Sequence, residues 1–206
     1  MATKNPVWAR IGLAALVLLL VVALVLGIIW RRLTALPDWY DAPEMIAEDG
    51  GPQIDPDWVR IPPGEPHAGG YVLRNPHLRT QGKPAPLQKA IKQSRATYDK
   101  GDLEAGAVLN LSQMDLDSLS AQERERYQQT IDAFPALTGR DVYVGIEGGV
   151  DRGDGRIAIG RDSKLRVGDT RYSLATAAKR LGMSEAQLRE SIEKELAKLN
   201  VQIPAE

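Results

Sequence analysis

There is no cysteine among the 206 residues of this chain. Disulfides, thiolate metal sites and cysteine nucleophiles are therefore excluded. Histidine is almost missing too. The two present, His67 and His77, stand in a proline-rich stretch at a spacing that matches no metal motif. Neither has a recognisable nucleophile beside it. Charge of one sign is not in excess, because 26 Lys and Arg face 27 Asp and Glu. No pull toward nucleic acid is built into such a chain. G-x-S-x-G, the P-loop and a G-x-G-x-x-G opening a helix are all absent, and the Gly148-Gly149 turn is too short to cradle a phosphate. Aromatics make up 5% of residues, and all four tryptophans (Trp8, Trp30, Trp39, Trp58) fall in the first third. The core must rest on aliphatics, with Tyr98, Tyr127, Phe134, Tyr143 and Tyr172 as its larger pieces. These absences leave no catalytic, cofactor-binding or metal-ligating residue to name, and a non-enzymatic protein is expected.

What the chain does have is one long apolar run. Ile11 to Trp30 (IGLAALVLLLVVALVLGIIW) carries no charge, and fourteen of these residues are Leu, Ile or Val. A helix rising about 1.5 Å per residue covers the roughly 30 Å hydrocarbon core in twenty residues. At about −0.3 to −0.6 kcal/mol for each Leu, Ile or Val, insertion is favoured by roughly 4–8 kcal/mol. Trp8 and Trp30 bracket the run where an interfacial belt would sit. Arg10, Arg31 and Arg32 are placed to snorkel to headgroups, and Trp39 and Tyr40 are expected at the same interface. A cleaved signal peptide has a shorter apolar region and a small-residue cleavage site, so an uncleaved anchor is the reading taken. The charges flanking the run nearly tie. The short N-terminal tail favours a domain outside the cytoplasm. Ala23 and Gly27 form a small-xxx-small pair through which two such helices can approach; the oligomeric state is left open.

Behind the tail (1–10) and the span (11–30), residues 31–86 read as an acidic Pro/Gly-rich linker. Ten of the thirteen prolines lie between 37 and 86, and proline allows neither a long helix nor a central strand there. Trp58 and the run Gly70-Tyr71-Val72-Leu73 are more than a spacer needs, so part of 54–75 is expected to pack on the domain.

Residues 87–206 read as a small α+β domain. A helix is expected over 87–100, with Leu87, Ala90, Ile91 and Tyr98 on one face and Gly101 as its stop. A strand follows over 103–111. Ser120-Ala121-Gln122-Glu123 is a capping box, opening a helix whose buried face holds Tyr127, Ile131 and Phe134. Val142, Val144 and Ile146 alternate on one face of a strand. Ile157, Ile159, Leu165, Val167 and Tyr172 then continue an antiparallel meander of three or four strands, one face buried and one wet, with Ser163 in a surface turn. A short helix over 174–181 ends at Gly182. A second capping box at Ser184–Gln187 opens a helix striped with Leu188, Ile192, Leu196 and Leu199, placed over the buried face of the sheet.

Two local patterns invite sharper readings. Leu174–Leu196 is similar to a DNA-binding helix-turn-helix, with Ala178 in the first helix, Gly182 in the turn and Leu188 and Ile192 in the second. The second helix, however, carries Glu185, Glu190, Glu193 and Glu195 against Arg189, Lys194 and Lys198, a face that phosphate repels. Nucleic acid is not the expected partner. Asp151-Arg152-Gly153-Asp154-Gly155 contains an Arg-Gly-Asp triplet but lacks the alternating ligands and closing Glu of a calcium loop. A wet hairpin loop explains it.

The order of features resembles single-pass, membrane-anchored bacterial envelope proteins of unassigned function, cyanobacterial ones among them. The residues carrying the likeness are the span leading into Leu36-Pro37-Asp38-Trp39-Tyr40, then Gly139–Glu147, Arg156–Ile159, Leu165–Gly168 and the terminal helix pair. The resemblance implies an inner-membrane anchor with an extracytoplasmic domain that binds a partner protein or a lipid. It transfers no catalytic residue. The alternative is a membrane-tethered cytoplasmic regulator acting through the C-terminal helix pair. A lipid-binding domain of the first kind calls for an apolar groove formed by the wet face of the meander and the 54–75 segment.

Overall fold

The computed structural model describes residues 6–40, 58–76, 89–151 and 158–198, with the side chains of the first helix described from residue 19 onward. That helix, α1, runs Pro6–Leu33. Its 28 residues make a rod of about 42 Å. Among the described residues, no helix is long and apolar enough to cross a membrane. The described side chains begin part-way along the apolar run.

Eight antiparallel strands follow: β1 (Val59–Arg60), β2 (Tyr71–Arg74), β3 (Ile91–Asp99), β4 (Asp102–Leu109), β5 (Val142–Asp151), β6 (Ala158–Ile159), β7 (Lys164–Val167) and β8 (Thr170–Ser173). They form one sheet in the order β1-β2-β3-β4-β5-β7-β8, with β6 paired to the far end of β5. Among the described residues, three further α-helices belong to this α+β fold: α2 (Ala121–Ala133), α3 (Leu174–Arg180) and α4 (Glu185–Lys198).

The helix expected over 87–100 is overturned over most of its length. Residues 91–99 form a strand, not the second part of a helix over 87–100. Lys92 is an extra residue in the register between Ile91 and Gln93, and this bulge breaks the strict alternation that marks a strand. Beyond it the alternation is regular, with Ser94, Ala96 and Tyr98 on one face and Arg95, Thr97 and Asp99 on the other. Lys100 and Gly101, both at positive φ (49° and 90°), make the tight hairpin into β4. Gly101 thus turns a hairpin instead of stopping a helix. The sheet also extends further than expected. It recruits 59–74 from the stretch assigned to the linker, with Ile61, Val72 and Leu73 buried and Trp58 edge-on to Tyr98.

One face of the sheet is apolar. Leu109, Val142 and Val167 meet Phe134 and Leu137 beyond α2, which lays Tyr127 and Ile131 on the same cluster. Ile146 meets Leu174, Ala177 and Ala178 of α3 and Leu188 and Leu196 of α4. Leu73, Ala96, Tyr98 and Leu103 close the third cluster. A fully buried Leu or Val in such a layer is worth about 1.5–3 kcal/mol. Both capping boxes form. The Ser120 side chain accepts from the Glu123 amide while Glu123 accepts from the Ser120 amide. Ser184 and Gln187 do the same for α4. Ser163 is not a surface residue: it is buried against Gly148, where a Cβ would lie 2.6 Å from its hydroxyl.

Candidate functional site

The opposite face of the sheet is where the structure departs most from expectation. It is neither wet throughout nor apolar. Arg74, Arg95, Glu104, Glu147, Lys164, Arg166 and Arg171 share this face by register. In its middle lies Tyr143, one of the most deeply buried side chains of the chain.

Tyr143 is accommodated by two glycines. Gly106 of β4 and Gly145 of β5 stand directly opposite each other. A Cβ on either would come within 2.5 Å of the tyrosine's Cζ or Oη. The ring lies across this bare strip of backbone, which is the close approach that a glycine within a strand signals. Its hydroxyl donates to Glu104 Oε1 at 3.1 Å. Burial, then the neighbouring Glu104, push the Tyr143 hydroxyl well above the ordinary tyrosine range.

The segment after α1 provides the lid. Trp39 meets the Tyr143 ring edge-on, with centroids 5.8 Å apart. Gln93 Nε2 donates to the Trp39 carbonyl, and Arg95 stands 6.0 Å from the indole. The Tyr40 hydroxyl donates to Asp141 Oδ2 at 2.8 Å, and Asn110 Nδ2 donates to the other oxygen of the same carboxylate. Pro37, two residues before Trp39, is buried. Trp39 and Tyr40, expected at the membrane interface, thus have their partners in the domain.

The end of α1 is held just as closely. The Asp169 amide, in the turn between β7 and β8, donates to the Arg32 carbonyl at 2.7 Å. The last turn of a helix leaves its carbonyls without intrahelical partners, and here the domain supplies one. Gly168 (φ +57°) makes this possible, since a Cβ there would lie 2.5 Å from the Leu33 carbonyl oxygen. The Arg140 guanidinium stacks on the Trp30 ring, 4.7 Å from its centroid.

Arg166 joins these two groups of contacts. Its Nη1 donates to Glu104 Oε1 at 2.8 Å, its Nη2 pairs with Asp169 at 3.2 Å and its Nε donates to the Gly168 carbonyl at 2.9 Å. It also lies over the Tyr143 ring at 4.9 Å. Arg166 therefore fixes both the lidded tyrosine and the turn that grips α1. Arg95 is less well provided for. Burial, and then Arg74 directly opposite, lower its pKa below the ordinary arginine value, and its buried Nε has no hydrogen-bond partner.

Of the other residues singled out from sequence, Trp8 and Arg10 lie on α1 where no side chains are described. Trp30, Arg31 and Arg32 are exposed at its C-terminal end. The Arg-Gly-Asp triplet and His77 lie outside the described residues. No group of His, Asp and Glu suited to a metal ion occurs among the described residues. In the helix pair, Leu188 and Leu196 are buried. Arg189 is engaged with the Ile159 and Gly160 carbonyls and with Glu185. Glu193 accepts from the Ile159 amide. One of the three basic residues of α4 is thus engaged with the sheet.

As site residues, Arg140, Asp141, Gly168 and Asp169 are not announced by the sequence. The Gly168-Asp169 turn is legible, but nothing local announces that a helix 135 residues earlier ends against it. Gly106 and Gly145 carried a signal, being glycines inside strands.

No protein family, curated protein or solved structure matches the chain.

Proposed function

We propose that this is a single-pass membrane-anchored protein whose α+β domain is a non-enzymatic binding or accessory module, held directly on the bilayer surface. One observation carries the reading. From Leu19 to Trp30 the large apolar side chains of α1 stay about half exposed, Leu19 at 66% and Val25 at 46%. A helix that is apolar all round belongs in lipid or inside protein, and the domain covers only its last turn. With the uncharged run from 11 to 30, this supports an anchor; we place it in a bacterial inner membrane with the domain outside the cytoplasm.

The charged face of the sheet argues against a groove for acyl chains. A partner protein or the polar surface of the bilayer suits it better. The regulator acting through α3 and α4 gains no support, because Arg189 and Glu193 are both tied to β6.

Two measurements test the proposal. Alkaline extraction of membranes should leave the chain in the pellet, and release into the supernatant would overturn the anchor. For topology, exposed Asp162 is the site for a single cysteine. In intact cells, Asp162→Cys should react with a membrane-impermeant maleimide. Protection until permeabilisation would place the domain in the cytoplasm.

A further inference from the structure

We infer that Arg31, Arg32 and Arg140 form a rim that holds the headgroups of anionic phospholipids. This rests on the reading of α1 as an anchor. Trp30 ends the apolar run, so in a bilayer its ring lies at the boundary of the hydrocarbon. Arg140 is stacked on that ring at 4.7 Å. The stacking places a guanidinium of the domain, 110 residues away in sequence, at the same depth as the two arginines that end the helix.

The three are exposed, and none forms an ion pair with a described carboxylate. Neighbouring acids are already engaged: Asp169 with Arg166, and Asp141 with Tyr40 and Asn110. Asp38 is the exception, exposed in the following turn. Among the described residues, three guanidiniums at headgroup depth with one nearby unengaged acid make a surface complementary to phosphate. Arginine pairs with phosphate through two parallel hydrogen bonds. The partner is thus the bilayer itself, and the anionic lipids in it. Gripping of the Arg32 carbonyl by Asp169 keeps the rim together.

The test uses the full chain reconstituted from mixed phosphatidylglycerol and phosphatidylcholine, released in mild detergent and examined by native mass spectrometry. The wild type should retain phosphatidylglycerol in preference to phosphatidylcholine, the more so at low salt. Arg31→Gln, Arg32→Gln and Arg140→Gln should each lower that preference by about fivefold, as expected for a basic residue at an anionic surface. Arg140→Lys, keeping the charge but losing the planar stack, should fall between. Equal retention of the two lipids by the wild type would overturn the inference, as would a preference that the triple variant keeps. Alkaline extraction of the same vesicles separates the two readings. A chain that stays embedded without lipid preference overturns the rim alone, and one that is extracted overturns the anchor with it.

Discussion

The hydroxyl of Tyr40 donates to the carboxylate of Asp141, 101 residues further along the chain, at 2.8 Å. With Trp39 on Tyr143, this bond closes the segment after α1 onto the sheet. The residues that leave the helix therefore do not act as a free tether.

Tyr40 should report on this closure through pH. Burial and Asp141 raise its pKa from the ordinary 10 to about 12. The folded state holds the proton more tightly than the unfolded one, so the contribution to stability is complete below pH 10 and lost as pH rises through about 12. Tyrosinate absorbance should show one step near pH 12, absent in Tyr40→Phe. That variant should lose about 1 kcal/mol, the usual net worth of a hydrogen bond. An unchanged titration would mean that the bond does not form in solution.

Gly145→Ala should destabilise the chain by about 1–3 kcal/mol, the range for overpacking a filled site. The added methyl meets Tyr143 Oη first, so Tyr143→Phe should recover part of the loss in a thermal melt. A Gly145→Ala melt equal to wild type would show that the ring is not lying on the glycine strip.

Much of the sheet and the helices α2, α3 and α4 were legible in the sequence, because their signals are local. Ser120-x-x-Glu123 and Ser184-x-x-Gln187 carry both halves of a capping box within four residues. Val142, Val144 and Ile146 show their face by alternation alone. β3 was hidden because Lys92 slips the register by one and because Ala, Lys, Gln and Arg suit a helix when no neighbours are counted. Its strand character comes from β2 and β4 on either side. The junction was hidden for a related reason. Trp39 and Tyr40 behind an apolar run carry the same composition whether they face lipid or a distant tyrosine, and only the fold distinguishes the two.

Gly168→Ala and Gly182→Ala make a matched pair. Both glycines sit at positive φ, which costs another residue about 1–2 kcal/mol. Only at Gly168 does the new methyl also strike backbone, at the Leu33 carbonyl, whereas nothing lies within 4 Å at Gly182. Gly168→Ala should be the more damaging of the two and should expose 33–37 to limited proteolysis. Equal losses, with no new cleavage, would argue that α1 is not gripped there.

Ser120→Ala tests the opening of α2. Hydrogen bonds from the Ser120 side chain and amide hold the Glu123 carboxyl below the ordinary range. In the variant, Glu123 should titrate higher by NMR and the first turn of α2 should exchange its amides faster. A Glu123 titration identical to wild type would rule the capping box out as the cause.

The grip of Asp169 on the Arg32 carbonyl has a mechanical meaning. A helix joined to its domain by a loose linker can spin without the domain noticing. Here the Arg32 carbonyl, the Trp30 ring and the Trp39–Tyr40 segment are each fastened at a different place on the domain, so the end of the helix does not turn independently of it. Torque applied at the end of α1 would pass through these contacts to the turn that Arg166 holds and to Tyr143. Two copies meeting along Ala23 and Gly27 would present their domains to each other at one fixed bearing.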